Sequence, residues 1–241
     1  MRSWILFAVI VSACAHAPAP VKDEAPPPVA AAPVAAAEPA RDPDAEIQVS
    51  GELGTIDEDA VERVFRSRWN DITACYQRAQ ADLWYVGGRV EIKLRITTDG
   101  AVKRSWVAAS TMGNYEAERC MLEATRTLAF PRPRGGKEAE VSFPVEFRSR
   151  AAVADWDPGR VAPAMKRHRS DVLACKRGTR MPRELTLTLY VAPGGRVTSA
   201  GLAADAPVDE RLGGCLVQKV RAWRLDDPLG KIAKASVGVR D

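Results

Sequence analysis

The chain has 241 residues, 46% hydrophobic and 27% charged, with a formal net charge of +4. That balance suits a globular protein with a buried core and excludes a collagen-like or wholly disordered chain. No apolar run reaches the roughly 18 residues of a spanning helix, and the uneven spread of 17 prolines and five cysteines means the chain must be read by segment.

Arg2 gives a positive start, and the eight residues Trp4 to Val11 form an apolar stretch too short to cross a hydrocarbon layer of ~30 Å. This reads as a cleaved signal peptide over residues 1–13. Val11-Ser12-Ala13-Cys14 resembles the bacterial lipobox, with valine where leucine is preferred. The resemblance implies lipidation of Cys14 and anchoring through several acyl chains. The alternative is an ordinary secretory signal cut near Ala13 or Ala15. Ala15 is not the aspartate that retains lipoproteins at the inner membrane in the enteric rule. The expected location is therefore the outer membrane, facing the periplasm. Residues 14–46 read as a disordered tether: 12 of the 32 residues after Cys14 are Ala and 8 are Pro, leaving few large apolar groups to bury. At ~3.1 Å per residue such a stretch reaches up to about 100 Å.

The body, from residue 47, contains an internal repeat. Asp71-Ile72-Thr73-Ala74-Cys75 returns as Asp171-Val172-Leu173-Ala174-Cys175, the turn Asp99-Gly100 is answered by Gly194-Gly195, and Cys120 by Cys215. Two copies, 47–149 and 150–241, are the economical account. In the first, Val61, Val64, Phe65, Trp69, Ile72, Cys75, Tyr76 and Ala79 recur at helical spacing. A Thr55–Glu58 capping box can precede this one long helix. Val90, Ile92, Leu94 and Ile96 then alternate with charged residues, predicting a strand buried on one face. Thr98-Asp99-Gly100 is turn chemistry, and a second strand returns over 101–109. A second helix is predicted from about Tyr115 to Leu128, capped by Asn114, with Ala117, Cys120, Met121, Ala124 and Leu128 inward. Val141, Phe143, Val145 and Phe147 alternate in a last strand, where Pro144 points to a sheet edge. The order helix, strand, strand, helix, strand predicts a two-layer α+β unit with one wet sheet face. The second copy repeats it with Val161, Met165, Val172 and Cys175, then Leu185, Leu187, Leu189 and Val191, then Val208, Leu212, Cys215, Leu216, Val220 and Trp223. Gly213-Gly214 inside its second helix suggests a close backbone approach beside Cys215.

Cys75-Tyr76, Gly88-Arg89-Val90, Asp99-Gly100, Ser110-Thr111, Cys120, Phe130-Pro131-Arg132-Pro133-Arg134-Gly135-Gly136 and Phe143-Pro144 resemble the AgmX/PglI C-terminal domain. That is a TonB-C-terminal-like module of myxobacterial lipoproteins and of motility or envelope proteins. The resemblance covers residues 55–148. The second copy keeps both cysteines and the turn but has Lys176 in place of the tyrosine and Leu225-Asp226-Asp227-Pro228-Leu229-Gly230 in place of the Phe-Pro string.

The four body cysteines fall one on each predicted helix, and export would place them in an oxidising space. The expected bridges are Cys75–Cys120 and Cys175–Cys215, each worth about 4 kcal/mol through lost unfolded-chain entropy. Buried free thiols are the alternative. A four-cysteine zinc site is disfavoured, because no Cys-x-x-Cys spacing exists and the pairs lie in separate copies. No catalytic centre is expected. His16 lies in the tether, and His168, in the basic run Lys166-Arg167-His168-Arg169, reads as a solvated helix residue. No cofactor is expected beyond the covalent lipid on Cys14. Residues 47–149 carry 15 basic and 15 acidic residues, whereas 150–241 carry 17 and 10. Lys166, Arg167, Arg169, Lys176, Arg177, Arg180 and Arg183 form a candidate basic patch for an anionic polymer, lipid headgroups or an acidic partner. A merely solvated face is the alternative, and nucleic acid is not expected after export. The functional expectation is a non-catalytic envelope lipoprotein whose tandem domains bind an envelope protein partner, as an accessory or scaffold in a transport, motility or envelope assembly. The alternative is a binder of cell wall or surface polymer through the basic second copy.

Overall fold

The computed structural model describes residues 53–239. The predicted signal segment, Cys14 and the Ala/Pro-rich tether lie outside them. The first half contains α1 (Glu58–Ser67), α2 (Trp69–Asp82), β1 (Gly88–Ile96), β2 (Val102–Ser110), α3 (Tyr115–Thr125) and β3 (Ala139–Phe147). The second contains the two-residue β4 (Ala154–Asp155), a 3-10 turn (Pro158–Arg160), α4 (Ala162–Arg167), α5 (Arg169–Lys176), β5 (Leu185–Ala192), β6 (Arg196–Ala204), α6 (Glu210–Arg221) and β7 (Ala233–Val239). Both halves are mixed α+β and run helix pair, strand, strand, helix, strand.

The first predicted helix is broken in each half. Arg68 leaves the helical path (φ −115°, ψ 13°), as does His168 (φ −101°, ψ 19°). At the first break the Ser67 hydroxyl donates to the Val64 carbonyl and the Arg68 N–H donates to Phe65, so the backbone's last turn is satisfied locally. The apolar stripe nevertheless runs through both pieces, with Val61 and Phe65 buried on α1 and Ile72, Cys75 and Tyr76 on α2. The expected Thr55–Glu58 capping box gives way to Asp57, whose carboxylate accepts the Ala60 N–H, while Thr55 bridges to Arg134. Asn114 caps α3 as expected, accepting from the Ala117 N–H.

The first sheet is antiparallel in the order β2-β1-β3, with Ile92 opposite both Val107 and Phe143. Val90, Ile92, Leu94 and Ile96 are fully buried, and Phe65 of α1 stacks on Phe143 with ring centroids 3.9 Å apart. On the opposite face Arg95 pairs with Glu140 at 2.9 Å. Pro144 lies in β3, an edge strand of this sheet.

The second sheet has the order β4-β7-β5-β6, antiparallel except for the short β4–β7 pairing. The hairpin glycines of the halves do the same work. A Cβ on Gly100 (φ 94°) would lie 2.0 Å from the Phe130 carbonyl oxygen, and one on Gly195 (φ 73°) 1.8 Å from that of Leu225. Each glycine carbonyl accepts the N–H of that same residue, tying the turn to the chain leaving the second helix.

The expectation of one wet sheet face fails for the second sheet. Its helix-free face carries Thr188, Tyr190, Ser199, Gly201 and Ala203, all buried, and Tyr190 and Ala203 join the hydrophobic core of the first half. The first half covers this face through α3 and the loop before it, and β2 packs against β6. The reason is chemical: the outward residues of β5 are Thr, Thr and Tyr, whereas those of β1 are Arg, Glu, Lys and Arg, and uncharged side chains with one polar tip can be buried once their hydroxyls are paired.

Candidate interaction surface

The junction between the halves is built from paired polar groups. The Tyr190 hydroxyl donates to the Gly87 carbonyl at 2.9 Å and accepts the Gly87 N–H at 3.1 Å. Burial pushes the Tyr190 phenol up to about 12. Thr188 donates to the Ser110 carbonyl and Ser199 to that of Gly113, while the Asn114 amide reaches the Ser199 hydroxyl. The Lys234 ammonium bridges the Gly87 and Thr111 carbonyls, and burial lowers its pKa. Gly213 of α6 leaves room for the Tyr115 ring: a Cβ there would sit 2.8 Å from the Tyr115 hydroxyl oxygen, whereas Gly214 has nothing within 4 Å. The close approach expected beside Cys215 is therefore made by a side chain of the other half.

At the centre of the junction, Glu118 of α3 is buried with 1% of its surface exposed. Its carboxylate accepts the Ser110 hydroxyl at 2.6 Å and the Leu202 N–H, on the open side of β6, at 3.1 Å. Burial is the largest influence on it and pushes its pKa up to about 7, against the hydrogen bonds that favour the charged form. A Cβ on Gly201 would lie 2.5 Å from both Glu118 oxygens, so the carboxylate needs glycine there. Sequence reading passed over Glu118 because a Glu in the first turn of a helix reads as a solvated residue at the positive end of the dipole.

The structure joins Cys75 to Cys120 and Cys175 to Cys215, with Cα separations of 5.7 and 5.6 Å. The first bridge ties α2 to α3 and the second α5 to α6. Arg78 lies over the first, its guanidinium 2.7 Å from the Cys120 sulfur. Beside it opens a cleft of about 370 Å³ between the halves, where Glu116 and Arg221 pair across the junction at 3.2 Å.

The expected basic patch is drawn out along one side of the second half. Lys166 and Arg167 close α4, Arg169 opens α5, Lys176 ends it, and Arg177, Arg180 and Arg183 follow in the loop to β5. All but the half-buried Lys176 are exposed. His168 is not the solvated residue expected. It stacks on Trp223 with ring centroids 4.8 Å apart, and its Nδ1 lies 3.2 Å from Asp171. Burial raises the pKa of Asp171, but the Trp223 indole N–H, Lys219 and His168 together outweigh that and hold its carboxyl low.

Alongside α4 and α5 runs an open groove of about 440 Å³, floored by Met165, Val172, Leu173 and Val237 and edged by Lys166 and Arg169. Leu173 is 47% exposed. The groove reaches β7, whose outer side pairs with β4 only at Ala233 and Lys234. Ala235–Val239 have β5 on one side and no strand on the other among the described residues. Among those residues, no group of three or more His, Cys, Asp or Glu could hold a metal, and no helix is long and apolar enough to cross a membrane. No family model, curated protein or solved structure matches this chain.

Proposed function

We propose that this chain is a non-catalytic envelope lipoprotein, anchored through Cys14 at the outer membrane, whose two TonB-C-like halves form a periplasmic protein-interaction body. It serves as an accessory or scaffold in a transport, motility or envelope assembly. The observation that carries the reading is the state of the sheet edges. A bare strand edge offers unpaired N–H and C=O groups to any extended chain, so proteins ordinarily close or blunt their edges. Glu118 occupies the open side of β6, and β2 packs against β6. β3 carries Pro144, which has no N–H to give. Among the described residues, Ala235–Val239 of β7 have no strand on their outer side and lie beside an apolar groove, which suits strand addition by a partner. The lipid anchor and export rest on the N-terminal sequence, and the absence of catalysis rests on the lack of a sequence constellation for it.

The test is site-specific photocrosslinking in cells, with the photoreactive residue at Leu173 or Gly238 and, as a control, at Arg132 on the first half. A discrete crosslinked protein from the first two positions supports the reading. Crosslinks only to abundant bulk proteins, at equal yield from all three, would overturn it. The exposed cations along α4, α5 and the following loop favour a second reading, adhesion to an anionic wall or surface polymer. Co-sedimentation with peptidoglycan, abolished by salt and by Arg177→Ala, Arg180→Ala and Arg183→Ala together, would favour that reading.

A further inference from the structure

We infer that the Cys75–Cys120 bridge is an exchangeable disulfide, and that the cleft beside it admits the thiolate of an exported dithiol reductant. The cleft, about 370 Å³, falls within the ~300–1,000 Å³ of typical binding sites and has both cysteines of the bridge in its wall. Cys75 is 3% exposed, whereas Cys120 is only partly covered, so the sulfur open to attack is that of Cys120. Arg78 stands three residues beyond Cys75 on α2, and its Nη2 lies 2.7 Å from the Cys120 sulfur and 3.6 Å from that of Cys75. Asp82 and Glu116 also line the cleft, but Glu116 is held by Arg221, and among the described residues no carboxylate pairs with the Arg78 guanidinium. A cation beside a sulfur favours its thiolate, which speeds departure of that sulfur from a disulfide and stabilises the reduced pair. The second half lacks this device. The helix breaks at Arg68 and His168 and the cysteines Cys75 and Cys175 correspond in the repeat, and the same correspondence puts Gly178 where Arg78 stands. No side chain from that position can reach the Cys175–Cys215 bridge.

The step is an exchange at sulfur. The incoming thiolate attacks the Cys120 sulfur as the bond to Cys75 breaks, and the electron pair of that bond departs on the Cys75 sulfur beside Arg78. The second thiol of the reductant then attacks the mixed disulfide and releases the Cys120 thiolate against the same guanidinium. The protein gains two electrons and two protons, and the dithiol becomes a disulfide. Opening the bridge removes the covalent tie between α2 and α3, the helix that carries Glu118 into the junction. The chain is the substrate of this exchange and not its catalyst, so the interaction-body reading stands whatever the state of the bridge.

The test follows both bridges in the full-length protein under native conditions. Dithiothreitol is added near neutral pH, aliquots are quenched with iodoacetamide, and peptide mapping reads the state of each cysteine. Cys75–Cys120 is expected to open about tenfold faster than Cys175–Cys215. Arg78→Ala is expected to slow the first bridge by about tenfold and leave the second unchanged, and Arg78→Lys to restore much of the rate. The second bridge thus reports within the same molecule that the variant is folded. Glutathione, with a single thiol, is expected to be trapped by the same quench as a mixed disulfide on Cys120, with the alkylated thiol on Cys75. Equal opening of the two bridges, or glutathione found on Cys75, overturns the inference. So does a first bridge left unchanged or quickened by Arg78→Ala, since the guanidinium would then do no more than shield the sulfurs.

Discussion

Glu118, 1% exposed, meets neutral donors, the Ser110 hydroxyl and the Leu202 N–H among them. Its carboxyl, ordinarily near 4.5, is raised to about 7 in the fold. An acid raised by folding holds its proton in the native state while the unfolded chain has lost it. The contribution of Glu118 to stability is therefore greatest below about pH 4.5, declines between there and pH 7, and is flat above. Over that window the loss attributable to Glu118 is about 3 kcal/mol. Urea denaturation at several pH values should show this decline in the native protein and a much shallower one in Glu118→Gln, and superimposable pH profiles would refute the account of this residue. Gly201→Val tests the same contact by volume. Its side chain would collide with both Glu118 oxygens, and a loss of about 2 kcal/mol or more is expected in the denaturation midpoint. Neither role was legible from residue type, because Glu118 becomes buried only when residues far away in sequence close over it.

The elements themselves were largely legible. Strict alternation in β1 follows from one face being buried, that in β5 from an apolar face backed by one of hydroxyl-bearing side chains, and the Asn114 cap and Pro144 edge follow from donor counting, so these local signals survived into the fold. The helix breaks at Arg68 and His168 were not legible, because the apolar stripe continues across each break and periodicity is blind to a one-residue departure from the helical path. The buried face of the second sheet was partly legible: three uncharged outward residues on β5 against four charged ones on β1 is a difference present in sequence. At this scale the bridges make a clear prediction. Each staples two helices across a loop of 45 or 40 residues, so replacing Cys75 and Cys120 together by Ala should lower unfolding free energy by about 4 kcal/mol. Removing both pairs should leave a chain that no longer unfolds cooperatively at moderate temperature, as circular dichroism melts would register. A bridge whose removal leaves the midpoint unchanged would not be stapling anything.

The halves answer one another in element order, yet only the second buries its helix-free sheet face against its neighbour, while the charged outer face of the first sheet stays open. Tyr190 is the centre of this exchange, and Tyr190→Phe, which removes both hydrogen bonds to Gly87, should destabilise the protein by about 1–3 kcal/mol in denaturant without altering the disulfides. This arrangement also gives the surface its asymmetry: the junction consumes the open side of β6 and leaves that of β7. Residue-resolved hydrogen exchange by NMR tests the point most directly. The amide of Leu202, held by Glu118, should exchange only through global unfolding, while the outward amides within Ala235–Val239 should exchange orders of magnitude faster in the free protein. Equal and rapid exchange at Leu202 and along β7 would mean that the halves separate freely, and would contradict a single body that closes the edge of β6 and leaves that of β7 open.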